Sequence, residues 1–341
     1  MAPTQILAEQ HFNTFQRWFD PLKIEVELRV AGQRSSRPPT RTIPSQNRRL
    51  TIGTHALLEE DVTFDKLGLV IIDEQHKFGV TQRETLVRKG RYPHLLVMTA
   101  TPIPRTLGLT LYGDLDVSTI REKPAARGAL KTYVRAENDL PKVWEFVRSK
   151  LSQGRQAYVV YPRVEEADEG ELKSVFTEWR RLEQILKPHV IGFLHEKIKA
   201  AEKESVMARF RSGALQLLVA SSLIEVGVDV ANATVMVIEN AERFGLSQLH
   251  QLRGRIGRGS HESHCILIAK ATTPDAKKRL GVLLESNDGF RIAEVDLEIR
   301  GPGELLGQAQ SGLPPLKFGD LRTDLRIIEK SRELAAQFDP R

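Results

Sequence analysis

The chain has 341 residues, 40% apolar and 28% charged, with 50 Lys and Arg against 44 Asp and Glu for a net charge of +6. Its length exceeds what one hydrophobic core usually covers and predicts two domains, no apolar run approaches the ~18 residues of a membrane span, and no secretory signal is visible. The lone cysteine, Cys265, excludes an internal disulfide and a thiolate metal cluster and fits a reducing cytoplasm, while the basic balance suits a polyanionic partner.

Apolar residues at helical spacing predict a helix over 6–19, and 24–30 reads as a short strand. From Gly32 to Arg49 the sequence GQRSSRPPTRTIPSQNRR holds three prolines and almost nothing to bury, so a loop or disordered stretch is expected. Regular alternation resumes at 50–52, 69–72 and 95–98, short apolar runs that suit parallel strands buried on both faces. Gly-Thr-His follows the first, Asp-Glu-Gln-His the second and Thr-Ala-Thr-Pro the third. Ligands of open parallel sheets bind beyond the carboxyl ends of the strands, so the three motifs can line one crevice.

Residues 121–128 read as a linker. A second α/β run follows, with strands expected at 157–161, 190–193, 216–220, 234–238 and 265–269 and helices at 140–151, 169–186, 200–210 and 245–253. The remainder, 274–341, reads as mostly helical apart from turn-rich Arg300-Gly301-Pro302-Gly303 and 307–315. No internal repeat of short period is expected.

Two motifs carry chemistry. A strand that delivers Asp73 and Glu74 to a sheet edge matches the Walker B pattern, in which the first carboxylate holds Mg²⁺ and the second polarises the attacking water. The same pattern also describes a strand simply leaving the core. In Gln251-Leu252-Arg253-Gly254-Arg255-Ile256-Gly257-Arg258-Gly259 the spaced arginines suit bidentate phosphate recognition and the glycines let backbone approach closely, the bland reading being a solvated basic turn. His261-Glu262-Ser263-His264-Cys265 has metal-ligand types without a second cluster, and His195-Glu196 lacks the second histidine of a zincin helix, so both read as surface or structural.

Together these motifs resemble those of the RecG family of superfamily 2, ATP-dependent DNA helicases, over nearly the whole chain. The run from Met1 to His11 is similar to motif Ia, Ile52 to Leu57 to motif Ib, Asp73 to Val80 to motif II in its DEQH form and Met98 to Arg105 to motif III. Ile224 to Val230 is similar to motif V, and the run from Glu239 leads into motif VI. Asp296 to Gly307 resembles the translocation element that the family shares with transcription-repair coupling factors.

The resemblance implies an α/β fold of two RecA-like parallel-sheet domains in tandem, an N-terminally truncated one at 1–122 and a second at 129–272, followed by a mostly helical translocation element at 273–341. It implies ATP and Mg²⁺ as cofactors, with Asp73 on the metal, Glu74 on the water, and Gln75 and His76 relaying the nucleotide state. Thr99, Ala100 and Thr101 would couple hydrolysis to movement, Arg255 and Arg258 would act as arginine fingers, and Gln251, Gly227 and Asp229 would complete the nucleotide side. Pro3, Thr4, Gly53, Thr54, His55, Arg105, Arg300 and Gln310 would contact DNA. The implied whole is a cytoplasmic, monomeric 3′-5′ translocase on forked or branched DNA, such as replication forks and Holliday junctions, in recombination and repair.

Some features depart from the family. No G-x-x-x-x-G-K-[ST] loop occurs, which predicts the downstream part of a longer protein, without P-loop or wedge domain, and negligible ATPase from these residues alone. At Gly32–Arg49 the family's Thr-Gly-Ser contact is replaced at nearly constant length, as a compensated frameshift would do. Glu196 stands where the family usually has Gly, and Gln308-Ala309 where Thr-Arg is usual, which bears on coupling. The alternative readings are a non-catalytic, nucleic-acid-binding remnant of a broken helicase gene and a fragment of a transcription-repair coupling translocase.

Overall fold

A computed structural model describes residues 1–30, 33–35, 48–100, 116–120, 122, 127–162, 168–195, 198–221, 230–270 and 273–300, with a few positions between 327 and 337. The chain divides into two compact units, the first ending at Ala100.

In the first unit, helix α1 (Gln5–Phe19) starts where the Thr4 hydroxyl accepts the Leu7 N–H at 3.3 Å. Its Leu7, Ala8, Phe12 and Phe15 pack on Val26 and Leu28 of β1 (Glu25–Val30) and Ile52 of β3 (Arg49–Gly53). Strand β1 pairs in parallel with β3 and antiparallel with β2 (Gln33–Ser35). A strand at Gln33–Ser35 corrects the expected loop there: main-chain pairing with β1 overrides a composition with nothing to bury. The stretch 36–47 lies outside the described residues.

Strands β4 (Leu69–Ile72) and β5 (His94–Val97) form a parallel pair, Ile72 opposite Val97. The Met1–Ala2 backbone bridges the two groups of strands, the Met1 amine donating to Ile71 O (2.6 Å), Asp73 N–H to Met1 O (3.0 Å) and Ala2 N–H to Gly53 O (2.9 Å). One face of the β4–β5 pair buries Val70 and Ile72 against Leu57, Phe78 and Leu86, the last on α2 (Val80–Arg88). On the opposite face Leu69 and Leu96 are 53% and 47% exposed, and among the described residues β5 pairs on one side only.

The second unit is a six-stranded, all-parallel sheet in the order β6-β11-β10-β7-β9-β8. Its strands are β6 (Leu130–Arg135), β7 (Gln156–Tyr161), β8 (Ile191–Leu194), β9 (Leu217–Ser221), β10 (Ala233–Ile238) and β11 (Ser263–Ile268). The intervening helices are α3 (Leu140–Ser152), α4 (Asp168–Ile185), α5 (Ala200–Arg211) and α6 (Leu246–Arg253). Every residue of β9, β10 and β11 is buried, as two-sided cover by helices requires. One face packs Val143, Trp144 and Val147 of α3 on Val159, Val237 and Ile266. Edge strand β6 is an addition to the expected elements: its Lys131 and Arg135 break the apolar run that marks the interior strands.

Helices α7 (Pro274–Glu285) and α8 (Gly289–Arg300) belong to this second unit and pack on α6 and β6. Residues 301–326 lie outside the described residues. Among the described residues no helix is long and apolar enough to cross a membrane.

Candidate active site

In the first unit the chain leaves β4 through Asp73 and turns at once, because Glu74 takes the left-handed conformation (φ 50°, ψ 53°) and a 3₁₀ turn, Gln75–Lys77, follows. A non-glycine residue there is strained by about 1 kcal/mol or more and needs its surroundings to hold it. Three contacts do so: Glu74 N–H donates to Asp73 Oδ1 (2.9 Å), Gln75 N–H to Met98 O (3.0 Å), and Ala100 N–H to Glu74 Oε2 (3.3 Å). Asp73, Glu74, Gln75 and Ala100 are thereby tied into one cluster, with Thr99 adjacent in the chain. Gln75 is 6% exposed, and its Oε1 accepts from Arg83 at 3.2 Å.

Asp73 has a partner that sequence reading passed over. His11 Nε2, one face of α1 away, lies 2.9 Å from Asp73 Oδ2. Burial opposes charge on this carboxyl, yet the His11 hydrogen bond and charge, with the Glu74 N–H, outweigh it and hold Asp73 below the usual carboxylate range. No local sequence signal could have found it, because Asp73 lies 62 residues further along the chain.

The residues expected at the DNA backbone partly converge. Ala2, next to Pro3 and Thr4, is bonded to Gly53, and Thr54 N–H donates to Arg29 O at 3.2 Å. Gly53 is required by that approach, since a Cβ there would lie 2.2 Å from Arg29 O. His55 opens a 3₁₀ turn and tilts against Phe78, ring centroids 5.3 Å apart. His76 lies in the turn after Glu74, and Arg300 ends α8. Thr101, Arg105, Gly227, Asp229 and Gln310 fall outside the described residues.

In the second unit Gln251 lies on α6, and Arg255 and Arg258 follow its C-terminus across Gly257, whose φ of 74° needs glycine. Burial pushes the Tyr158 hydroxyl up to about 12 while the charges of Arg255 and Arg258 pull against it, so both guanidiniums act near the buried middle of β7. Arg258 Nε also donates to Gly254 O at 3.1 Å.

Arg253, in the same motif, has a different task. Only 2% exposed, it donates to Leu283 O (2.7 Å) and Ser286 O (3.0 Å) at the end of α7 and to Thr132 Oγ1 (3.3 Å), and its Nη2 lies 3.2 Å from His250 Nδ1. Arg279 of α7 donates in return to Glu242 O (3.0 Å) and Phe244 O (3.3 Å), and Ser247 of α6 to Asp296 of α8 (2.6 Å). The family resemblance implied a role as arginine fingers for Arg255 and Arg258 and none for Arg253; burial marks Arg253 as the structural arginine of the motif.

Among the described residues no group of three or more His, Cys, Asp or Glu could hold a metal. His264 stacks on Tyr133 and meets Phe146 edge-on, the Cys265 thiol is buried and pushed up to about 12, and Glu262 pairs with Lys131 at 2.5 Å.

Comparison with known proteins matches 1–109 to the DEAD/DEAH box helicase model, 140–260 to the helicase conserved C-terminal domain and 286–339 to the C-terminal part of domain 3 of the ATP-dependent DNA helicase RecG. The fold and these matches define the motor part of a superfamily 2 helicase, a class that uses ATP. The RecG of Synechocystis is 50% identical over 98% of this chain and 41% of its own length, and that of Bacillus subtilis 44% identical over 98% and 50%. A solved RecG bound to a three-way DNA junction superposes with a TM-score of 0.72 at 40% identity, over 96% of this chain and 43% of that one. The chain belongs to the RecG family of DNA helicases and spans about half the length of the curated relatives it matches. Yeast Dbp5 bound to RNA, 17% identical with a TM-score of 0.55, shares the fold alone.

Proposed function

We propose that this chain is the motor of an ATP-dependent 3′-5′ DNA translocase acting on branched DNA, built as a first motor domain at 1–122, a second at 129–272 and a translocation element at 273–341. The observation that best supports it is the left-handed turn at Glu74, which sets two carboxylates at the end of β4 and ties the second to the Ala100 amide. A pair of adjacent carboxylates fits Mg²⁺, which keeps several waters and takes one or two carboxylates together with substrate phosphates. Asp73 would hold it through water, with His11 fixing the carboxylate's orientation. Glu74 would orient the attacking water, and its bond to Ala100 would report the nucleotide state to Thr99 and Thr101. Gln251, Gly227 and Asp229 complete the nucleotide side of this reading. When bound, Mg²⁺ supplies positive charge against the γ-phosphoryl group, and Arg255 and Arg258 would add theirs in the transition state.

Without a P-loop in the sequence, ATP is poorly held, and the 341 residues alone turn it over negligibly. DNA binding survives that loss. Purified chain is expected to bind forked duplex with an affinity that falls steeply with salt, while DNA-stimulated ATP hydrolysis stays at background. Salt-independent binding would sink the nucleic-acid reading. Hydrolysis that disappears in Glu74→Gln would sink the claim of negligible turnover.

A further inference from the structure

Two stretches, one in each unit, share a local design. After β4 come Asp73, Glu74, the turn Gln75–Lys77, Phe78, Gly79 and Gln82; after β10 come Glu239, Asn240, the turn Ala241–Arg243, Phe244, Gly245 and Gln248. Glu74 (φ 50°, ψ 53°) and Asn240 (φ 48°, ψ 49°) are both left-handed. In each stretch the glycine N–H donates to the glutamine Oε1 at 3.0 Å, starting the next helix. Glu239 therefore occupies in the second unit the place that Asp73 occupies in the first.

Beside Glu239 lies a cavity of about 320 Å³, the lower end of the range for small-molecule sites. Leu140, Trp144 and Ile268 give it apolar walls. At its polar end sit Glu239, 8% exposed, and Tyr161, whose buried hydroxyl has no hydrogen-bond partner among the described residues. A buried hydroxyl is normally satisfied, so a ligand that bonds Tyr161 beside the Glu239 carboxyl is favoured. The charged rim is largely self-neutralised, Arg181 bonded to Glu178 at 3.3 Å and Lys270 to Glu137 at 2.7 Å, which disfavours a highly charged ligand. Apolar walls, a donor–acceptor end and low net charge together describe the complement of a planar heteroaromatic ring with hydrogen-bonding groups along one edge.

We propose that this cavity is a second ligand site that takes one nucleobase, Glu239 and Tyr161 meeting its hydrogen-bonding edge and the apolar walls its faces. Burial beside Glu178 and Glu137 pushes Glu239 up to about 7 against the pull of Arg181, so near neutrality the carboxyl serves as donor or acceptor. Arg243 is the remaining charged group of the lining. The base is either that of a free nucleoside or one unstacked from single-stranded DNA. The site stands apart from ATP turnover in the first unit, so its failure would leave the motor reading intact.

The test titrates the purified chain with 2-aminopurine deoxyriboside and, separately, with a single-stranded oligodeoxynucleotide carrying one 2-aminopurine, following that base's fluorescence. A saturable change is expected in at least one arm; response to the nucleoside identifies a free ligand, response to the oligonucleotide alone an unstacked DNA base. Leu140→Trp, at a partly buried position of the lining, should crowd the cavity and weaken binding at least ~10-fold. Glu239→Gln should keep binding but remove its variation between about pH 6 and 8, a readout that loss of folding would not give. Urea midpoints equal to or above that of the unmodified chain confirm folded variants. No saturable change in either arm, or one untouched by both substitutions, overturns the proposal.

Discussion

Replacing Arg253 by Met keeps the aliphatic stem and deletes the guanidinium, so the loss reports its hydrogen bonds more than a cavity. Four groups lose the guanidinium's hydrogen bonds: the Leu283 and Ser286 carbonyls, the Thr132 hydroxyl and the His250 ring. Bonds from a charged donor contribute about 1.5–3 kcal/mol each, but they share one side chain and its desolvation offsets part of the sum, leaving about 2–4 kcal/mol. With a urea dependence of about 2–3 kcal/mol/M, the midpoint should fall by roughly 1 M. Trp144 and Trp179 lie in the second unit and Trp18 in the first, so tryptophan fluorescence in a Trp18→Phe background follows the second unit alone. Arg255→Met and Arg258→Met, at partly exposed positions, should stay within about 0.5 kcal/mol. A midpoint for Arg253→Met as close to the parent as theirs would refute the assignment of Arg253 to structure.

Glu239 makes stability depend on pH in an unusual sense. Its folded pKa of about 7 lies above the ordinary glutamate value of 4.5, so between those values the folded chain holds more protons than the unfolded one, and stability falls as pH rises, by about 3 kcal/mol in all. Urea midpoints at pH 5 and pH 8 should differ in that direction, and Glu239→Gln should flatten the difference; an unchanged slope in the variant contradicts the buried-acid account. Gly53→Ala drives a Cβ into Arg29 O and should cost about 3 kcal/mol or more, read from Trp18 fluorescence as earlier unfolding of the first unit alone. Ser247→Ala removes the bond to buried Asp296 and should cost about 1–3 kcal/mol in the second unit, with Ser247→Thr recovering part of it.

The second sheet was legible almost strand by strand, because interior parallel strands must be apolar on both faces and β7, β9, β10 and β11 leave no other reading. Strand β6 escaped because an edge strand carries charges that erase the pattern. The Asp73-Glu74 pair was legible as a strand-end acid motif, but the left-handed backbone at Glu74 was not, since nothing in a glutamate announces φ > 0. His11 and Arg253 went unassigned for a common reason: their partners are distant in sequence, at Asp73 and at Leu283 and Ser286. The duplicated turn was hidden as well. Only Phe-Gly and a later Gln are identical in the two copies, whereas main-chain angles and capping bonds make them the same object.

The exposed Leu69 and Leu96, on one face of the β4–β5 pair, bear on how the chain behaves in solution. An apolar strand face open to water is a surface to which other apolar surfaces adhere. Concentrated samples should therefore self-associate reversibly at first and precipitate later, with Leu96→Lys as the substitution that most improves solubility.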